Sequence, residues 1–336
     1  MTEETGILSG PPGSPFTRNG IRRERVAIVL TNYNYQHYVA RAIRSCQRQS
    51  HSEISIVVVD DGSVDDSVSA ITDAFDGDQR CQLVRKDNGG QLSAFNTAVS
   101  AITEDVYIVV FLDADDVLEP DCVAALLKAY SDRPDVDFIF STPRPFSEPE
   151  PPLIEPTNHT ATDLGFTTAA TWFCQEWIGA PTSGLSMRAS LVRKLLPIPL
   201  ESDWRIRADD CLVWGSSLAG ARKMHLDGTL VHYRIHENNS FYGKNVLAAS
   251  DRYRRCLAAN RVWQHFDSVF ALSRLSASGV YLEFRTQPRR TLQQALRYTR
   301  IARATRFRVL DRMRLIANIW ARFAYDAVMS LRGTPQ

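Results

Sequence analysis

Two stretches decide how this chain reads: Ile54–Asp61, ISIVVVDD, which runs into Gly62-Ser63, and Tyr107–Asp116, YIVVFLDADD. Each is a run of apolar, largely β-branched residues that ends in carboxylates. Such runs read as strands buried on both faces of a parallel sheet, with the acids at the C-terminal edge. In open α/β sheets ligands bind along that edge. Carboxylates gathered there repel one another unless a cation or a substrate donor offsets the repulsion. The chemistry implied is that of an enzyme handling a metal-bound phosphate.

Working outward, Val26–Leu30 reads as a first strand, followed by the loop Thr31-Asn32-Tyr33-Asn34-Tyr35 and a helix with apolar spacing at Tyr38, Ala42, Ile43 and Cys46. Ser67–Phe75 is a helix, and Cys81–Arg85 a short strand ending at Asp87-Asn88-Gly89-Gly90. A helix over Ser93–Ile102 leads to the long strand Val106–Leu112. Pro120 suits the first turn of a helix over Asp121–Tyr130, and Val136–Phe140 is a further strand. This alternation predicts an α/β fold with a Rossmann-like, mostly parallel sheet flanked by helices. Pro- and Glu-rich Pro143–Pro156 leaves the core, and residues 165–245 show no clear period. From about residue 250 the pattern is helical and arginine-rich. The expected organisation is a disordered lead-in over 1–24, a catalytic domain over 25–245 and a basic helical region over 250–336. Within the catalytic domain, 25–142 form the nucleotide and metal half and 143–245 the acceptor half.

The formal net charge of +1 hides an asymmetry: residues 1–250 carry 22 Lys and Arg against 33 Asp and Glu, and residues 251–336 carry 17 against 5. The basic part wants an anionic neighbour. The cysteines at 46, 81, 122, 174, 211 and 256 have no metal-site spacing and read as free thiols in a reducing compartment. There is no signal-type apolar core at the N-terminus and no uncharged run of membrane-spanning length, so the expected location is cytoplasmic.

Asp-x-Asp spacing alone is not special, since Asp76-Gly77-Asp78 and Asp135-Val136-Asp137 share it and read as surface turns. Asp113-Ala114-Asp115 differs because a buried strand precedes it. Its spacing projects Asp113 and Asp115 to one side, as hard oxygen ligands for Mn²⁺ or Mg²⁺. Asp60 and Asp61 end their own strand, where a carboxylate can accept from a base N–H or a ribose hydroxyl. Asp65 or Asp66 reads as the cap of the Ser67 helix. The two glycines of Asn88-Gly89-Gly90 permit close backbone approach before a helix N-terminus that favours anions. Asp209-Asp210 opens an apolar helix, either as a cap or as a catalytic base.

The ordered series TNYN, VVVDDGSVDDS, NGGQLSAFN, FLDADD, ADDCLVW and LDGTLVHYRIHENNS resembles the inverting nucleotide-sugar glycosyltransferases of family 2, which have the GT-A fold. The resemblance covers roughly residues 26–240. It implies nucleotide contacts from Thr31, Tyr33 and Asn34, base contacts from Asp60 and Asp61, and a loop near base and ribose at Asn88 and Gly90. Asp113 and Asp115 match the metal-binding pair. Asp209-Asp210 resembles the family's Glu-Asp pair; aligning its following Leu-Trp on Val213-Trp214 puts the general base at Asp210, with Asp209 as fallback. His236 resembles a histidine that some members use near the metal, and a packed histidine is the plain alternative.

Two departures stand out. Thr31 replaces a common proline, and Phe95 stands where an arginine is common before Asn96, so a diphosphate contact is missing or comes from elsewhere. The Gln-x-x-Arg-Trp pattern and membrane spans of processive members are absent, which favours single-sugar addition. The resemblance implies transfer from a nucleoside-diphosphate sugar, uridine being the commonest base, to a saccharide or lipid-linked acceptor with inversion, in cell-surface glycan, polysaccharide or glycolipid synthesis. An Asp-x-Asp phosphatase with Asp113 as nucleophile and an inactive nucleotide-binding scaffold are the alternatives.

Residues 285–322 hold eleven arginines against one acid, Asp311, and Leu310, Met313, Ala317, Trp320, Ala324, Val328 and Leu331 recur at helical spacing. Such a helix either lies on an anionic membrane surface, making the protein peripheral on the inner face of the plasma membrane, or packs on the catalytic domain. Nothing in the sequence carries a nucleic-acid-binding signature.

Overall fold

The computed structural model describes residues 24–147, 159–237, 239 and 248–331. The expected lead-in over 1–24 therefore lies almost wholly outside the described residues, as does most of the Pro- and Glu-rich excursion. The first half follows the predicted alternation: β1 (Arg25–Asn32), α1 (Val39–Gln47), β2 (Ile54–Asp60), α2 (Ser67–Phe75), β3 (Cys81–Arg85), α3 (Gln91–Ala101), β4 (Val106–Asp113), β5 (Val117–Leu118), α4 (Cys122–Asp132) and β6 (Phe138–Phe140). The second half adds β7 (Arg144–Phe146), β8 (Ala161–Phe166), α5 (Thr168–Cys174), β9 (Leu185–Arg188), α6 (Ala189–Leu195), α7 (Asp209–Leu218), β10 (Arg222–Leu226) and β11 (Val231–Arg234). Four helices close the chain: α8 (Ala249–Phe270), α9 (Ala277–Arg285), α10 (Leu292–Ala304) and α11 (Val309–Leu331).

One eight-stranded sheet runs β3-β2-β1-β4-β9-β6-β10-β8. Its first four strands are parallel, as expected. The second half is mixed: β9 is antiparallel to both β4 and β6, and β8 is antiparallel to β10. β9 and β10 come from the stretch whose sequence has no period. They are short, flanked on both sides, and lack the long β-branched runs that announce β2 and β4.

The period of two along β4 decides what each face does. Val109 and Phe111 join the core layer that includes Leu92, Phe95, Cys211 and Leu212, while Ile108, Val110 and Leu112 join the layer with Val39, Ile43 and Leu126. Asp113 continues the first set, so it emerges on the side where α3 and α7 begin. Phe95 is spent on this core, edge-on to Phe111 with ring centres 5.3 Å apart. A cation there would be buried, which explains why no arginine occupies the position.

A three-stranded sheet, β5-β11-β7, starts directly after the Asp-x-Asp turn. β11 runs antiparallel to β5 with Val231 opposite Leu118 and His232 opposite Val117. That register carries the chain onward toward Asp116 and Asp115. The C-terminal helices share a core with the catalytic domain: Val280, Phe284, Tyr298, Ile301, Leu315 and Ile319 pack with Ala169 and Ala170 of α5. The six cysteines are unpaired.

Candidate active site

A cleft of about 1010 Å³ opens along the C-terminal edge of the parallel strands. It is lined by Thr31, Tyr33, Asn34, Asp61, Asn88, Gly90, Asp113, Asp115 and Asp209, among others. Of the residues singled out in the sequence, Asp60, Asp210 and His236 do not line it.

Asp60 is turned into the protein. It accepts from Asn32 Nδ2 at 2.8 Å and from Ser63 Oγ at 2.6 Å. Asn34, held at a positive φ of 58°, adds a second link by accepting from the Val64 N–H at 2.9 Å. Asp60 thus ties the β1 loop to the β2 loop. Asp61 faces the cleft and accepts from Lys86 Nζ at 2.7 Å, Gly89 N at 2.9 Å and Gly90 N at 2.7 Å. Asp66 holds the cap position of α2 without a side-chain capping bond, and Asp65, one residue before it, accepts from the Ser67 N–H at 3.0 Å.

Gly90 has φ of 88°, and a Cβ on it would lie 2.3 Å from Arg205 Cα. This close approach lets the Gln91 N–H donate to Arg205 O at 2.8 Å. Asn88 Oδ1 accepts from the Arg205 guanidinium. The glycine pair therefore docks the 204–208 segment against the start of α3. Arg205 and Arg207 both line the cleft, putting two cations where Phe95 supplies none.

Asp113 Oδ1 accepts from Gln91 Nε2 at 3.1 Å. Burial first, then the charges of Asp115 and Asp209, hold its carboxyl well above the usual range. Asp115 Oδ2 lies 3.0 Å from His236 Nε2. His236 stacks on Tyr38 with ring centres 4.6 Å apart. Asp116 turns away, as its spacing requires, and is a structural node: it accepts from the Arg234 N–H at 2.9 Å and from Ser183 Oγ at 2.5 Å. Burial, then Asp115 and Asp113, push its carboxyl upward too.

Of the acidic pair opening α7, Asp209 lines the cleft and Asp210 is pinned to Arg207 Nη2 at 2.9 Å. Burial, then the Asp210 charge, raises the Asp209 carboxyl to about 7.

Two contributions did not stand out in the sequence. Gln91 bridges three parts of the site: its Nε2 donates to Asp113 Oδ1 and Thr182 Oγ1, each at 3.1 Å, and its Oε1 accepts from the Ala208 N–H at 2.9 Å. Its place after two glycines, opening a helix, was the available signal. Thr182 and Ser183 had none, since their neighbours in sequence carry no period.

The residues present fit a hard divalent cation. Asp113 and Asp115 both line the cleft, with the Asp113 carboxyl raised, and Mg²⁺ or Mn²⁺ takes one or two carboxylates together with water and substrate phosphate. Among the described residues no set of three or more His, Cys, Asp or Glu side chains is gathered for a metal, so the remaining ligands would come from solvent and substrate.

The family model for glycosyl transferase family 2 matches residues 27–194, half of the chain, and spans β1 to the end of α6. The chain belongs to glycosyl transferase family 2. Among its relatives, an uncharacterized glycosyltransferase of Nostoc sp. is 33% identical over 227 residues, covering 64% of this chain and 66% of that protein. The chondroitin synthase of Pasteurella multocida is 32% identical over 119 residues, 35% of this chain and 12% of the synthase. The chain thus spans just under two thirds of the first relative and a small part of the second. Residues 1–349 of S. aureus TarS, solved in complex with UDP-GlcNAc, share the fold at a TM-score of 0.51 and 14% identity, over 83% of this chain and 81% of that one. The mixed α/β fold with added C-terminal helices is the one shared with TarS.

Proposed function

We propose that this glycosyltransferase moves one sugar from a nucleoside-diphosphate sugar to an acceptor hydroxyl with inversion at the anomeric carbon. The observation that carries the reading is the convergence of Asp61, Asp113, Asp115 and Asp209 on one cleft beside Arg205 and Arg207. The Thr31–Asn34 loop and the Asn88–Gly90 loop form the nucleotide end. Uridine is the base to test first, in keeping with the UDP-GlcNAc complex of TarS.

Asp113 and Asp115 would hold a divalent cation, which when bound supplies positive charge against the departing diphosphate. His236 acts there through Asp115, whose carboxylate it orients. Arg205 and Arg207 add positive charge to the cleft lining. Asp209 takes the proton of an acceptor hydroxyl held in line with the anomeric carbon. The alignment favoured Asp210, but Asp210 is engaged by Arg207 while Asp209 faces the cleft, so Asp209 is the better placed base.

The test is a binding and turnover screen of nucleotide-sugars with Mn²⁺ or Mg²⁺, comparing wild type with Asp115→Ala, Asp209→Asn and Asp210→Asn. Metal-dependent binding lost in Asp115→Ala, with turnover but not binding lost in Asp209→Asn, supports the assignment. Turnover lost only in Asp210→Asn would move the base to Asp210. A folded protein that binds no nucleotide-sugar would sink the reading.

A further inference from the structure

The closing helix is apolar on two sides, and the fold uses one of them. α11 buries Leu315 and Ile319 against Tyr298, Ile301 and Ala302 of α10 and Val280 and Phe284 of α9. At about 100° per residue, Val309, Leu310, Met313, Ala317, Ala324 and Val328 form a second row on roughly the opposite side. These are largely the residues the sequence marked as an apolar face, and the structure leaves them in solvent: Val309 is 60% exposed, Leu310 67% and Met313 62%.

The charges divide in the same way. Arg297 and Arg300 are spent on Glu176, and Arg290 and Arg322 on Asp326. Arg303, Arg306, Arg308 and Arg314 are exposed and have no carboxylate partner among the described residues. They cluster around Val309, Leu310 and Met313, where α10 hands over to α11. One face of the basic region thus packs on the catalytic domain, and the other is open.

We propose that Arg303–Arg314, with the outward row of α11, docks on an anionic bilayer surface. Aliphatic side chains interleaved with unpaired arginines suit the headgroup boundary, where the apolar row leaves water and the guanidinium groups meet lipid phosphates. A nucleic acid would take the arginines but leave Val309, Leu310 and Met313 in water. A second copy across a two-fold axis would bring the same arginine cluster against itself. No helix among the described residues is long and apolar enough to cross a membrane, so the contact lies on the surface.

The experiment is co-sedimentation of the full chain with phosphatidylcholine vesicles, with and without phosphatidylglycerol, over a salt series. Binding is expected only with the anionic lipid and should weaken with salt. Each of Arg303→Gln, Arg306→Gln, Arg308→Gln and Arg314→Gln should cost about fivefold. Leu310→Ser with Met313→Ser should cost at least about tenfold. A dye placed by Ala317→Cys, in a Cys256→Ser background, should shift to the blue only with anionic vesicles. The proposal is overturned by any of four results: no anionic binding, binding indifferent to both sets of variants, binding to a polynucleotide but not to vesicles, or self-association that Leu310→Ser dissolves without any vesicle binding.

Discussion

Gln91 and Asp113 come from different strand–helix units, yet the Gln91 amide donates to the Asp113 carboxylate at 3.1 Å while its oxygen holds the Ala208 N–H at 2.9 Å. One side chain thereby fixes the Asp113 carboxylate relative to the helix that carries the candidate base. Gln91→Ala removes both bonds and strands the Ala208 N–H. It should lower kcat/KM about 10–100-fold and cost about 1–3 kcal/mol of stability. Steady-state kinetics and thermal melts read the two effects. Unchanged kinetics would mean that α7 holds its place without Gln91.

Asp113→Asn and Asp115→Asn should each abolish the gain in thermal stability that Mn²⁺ with a nucleoside diphosphate gives the wild type. A ligand present at about 100 times its Kd adds about 2.7 kcal/mol, so the loss is measurable. His236→Ala should weaken this gain without abolishing it, because His236 orients Asp115 from outside the cleft. A variant at Asp113 or Asp115 that keeps the full metal-dependent shift would remove the cation from this pair.

The raised carboxyl of Asp209, at about 7, sets a pH dependence. A general base works as the carboxylate, so kcat/KM should rise with pH and level off above about 7, falling roughly tenfold per unit well below it. Asp209→Asn should cost about 10²–10⁴-fold in turnover and erase the acid limb. A pH profile flat from 5 to 8 in the wild type would contradict the assignment.

Gly90→Ala puts a Cβ 2.3 Å from Arg205 Cα at a φ of 88°. The left-handed backbone and the clash together should cost more than about 2 kcal/mol, visible as a drop in Tm. Because the displaced segment carries Arg205 and Arg207, donor affinity should fall with it.

Cutting the chain after residue 245 would leave Ala169 and Ala170 of α5 without the helices that cover them. It would also strip Glu176 of Arg297 and Arg300. The truncated protein should be markedly less stable or aggregate, despite retaining every residue that the family model matches. A soluble fragment with the melting temperature of the full chain would show that the catalytic domain folds without its C-terminal helices.

The first half of the sheet was legible because its signals are local. The β-branched runs of β2 and β4 are long enough to declare buried parallel strands, and the acids that end them fall at the binding edge. The spacing of Asp113, Asp115 and Asp116 was likewise enough to assign two carboxylates to the cleft and one away from it. β9 and β10 were not legible, since four- and five-residue strands flanked on both sides carry no period of their own. In the closing helix the apolar positions could be read, but not which of its faces would be covered.

By itself the sequence determined the parallel half-sheet, the order of acidic edges along it and the family that this order resembles. Those properties depend on neighbours within a dozen residues, where strand alternation and helix capping act. Tertiary structure alone decided that Asp60 turns inward while Asp61 meets the cleft, and that Arg207 claims Asp210 and leaves Asp209 facing the cleft. It also joined Gln91 to Asp113 and His236 to Asp115. Arg207 and Asp210 are only three residues apart, but the other choices rest on hydrogen bonds between residues far apart in the chain, whose partners are fixed only once β11 pairs with β5 and the 204–208 segment docks against the start of α3.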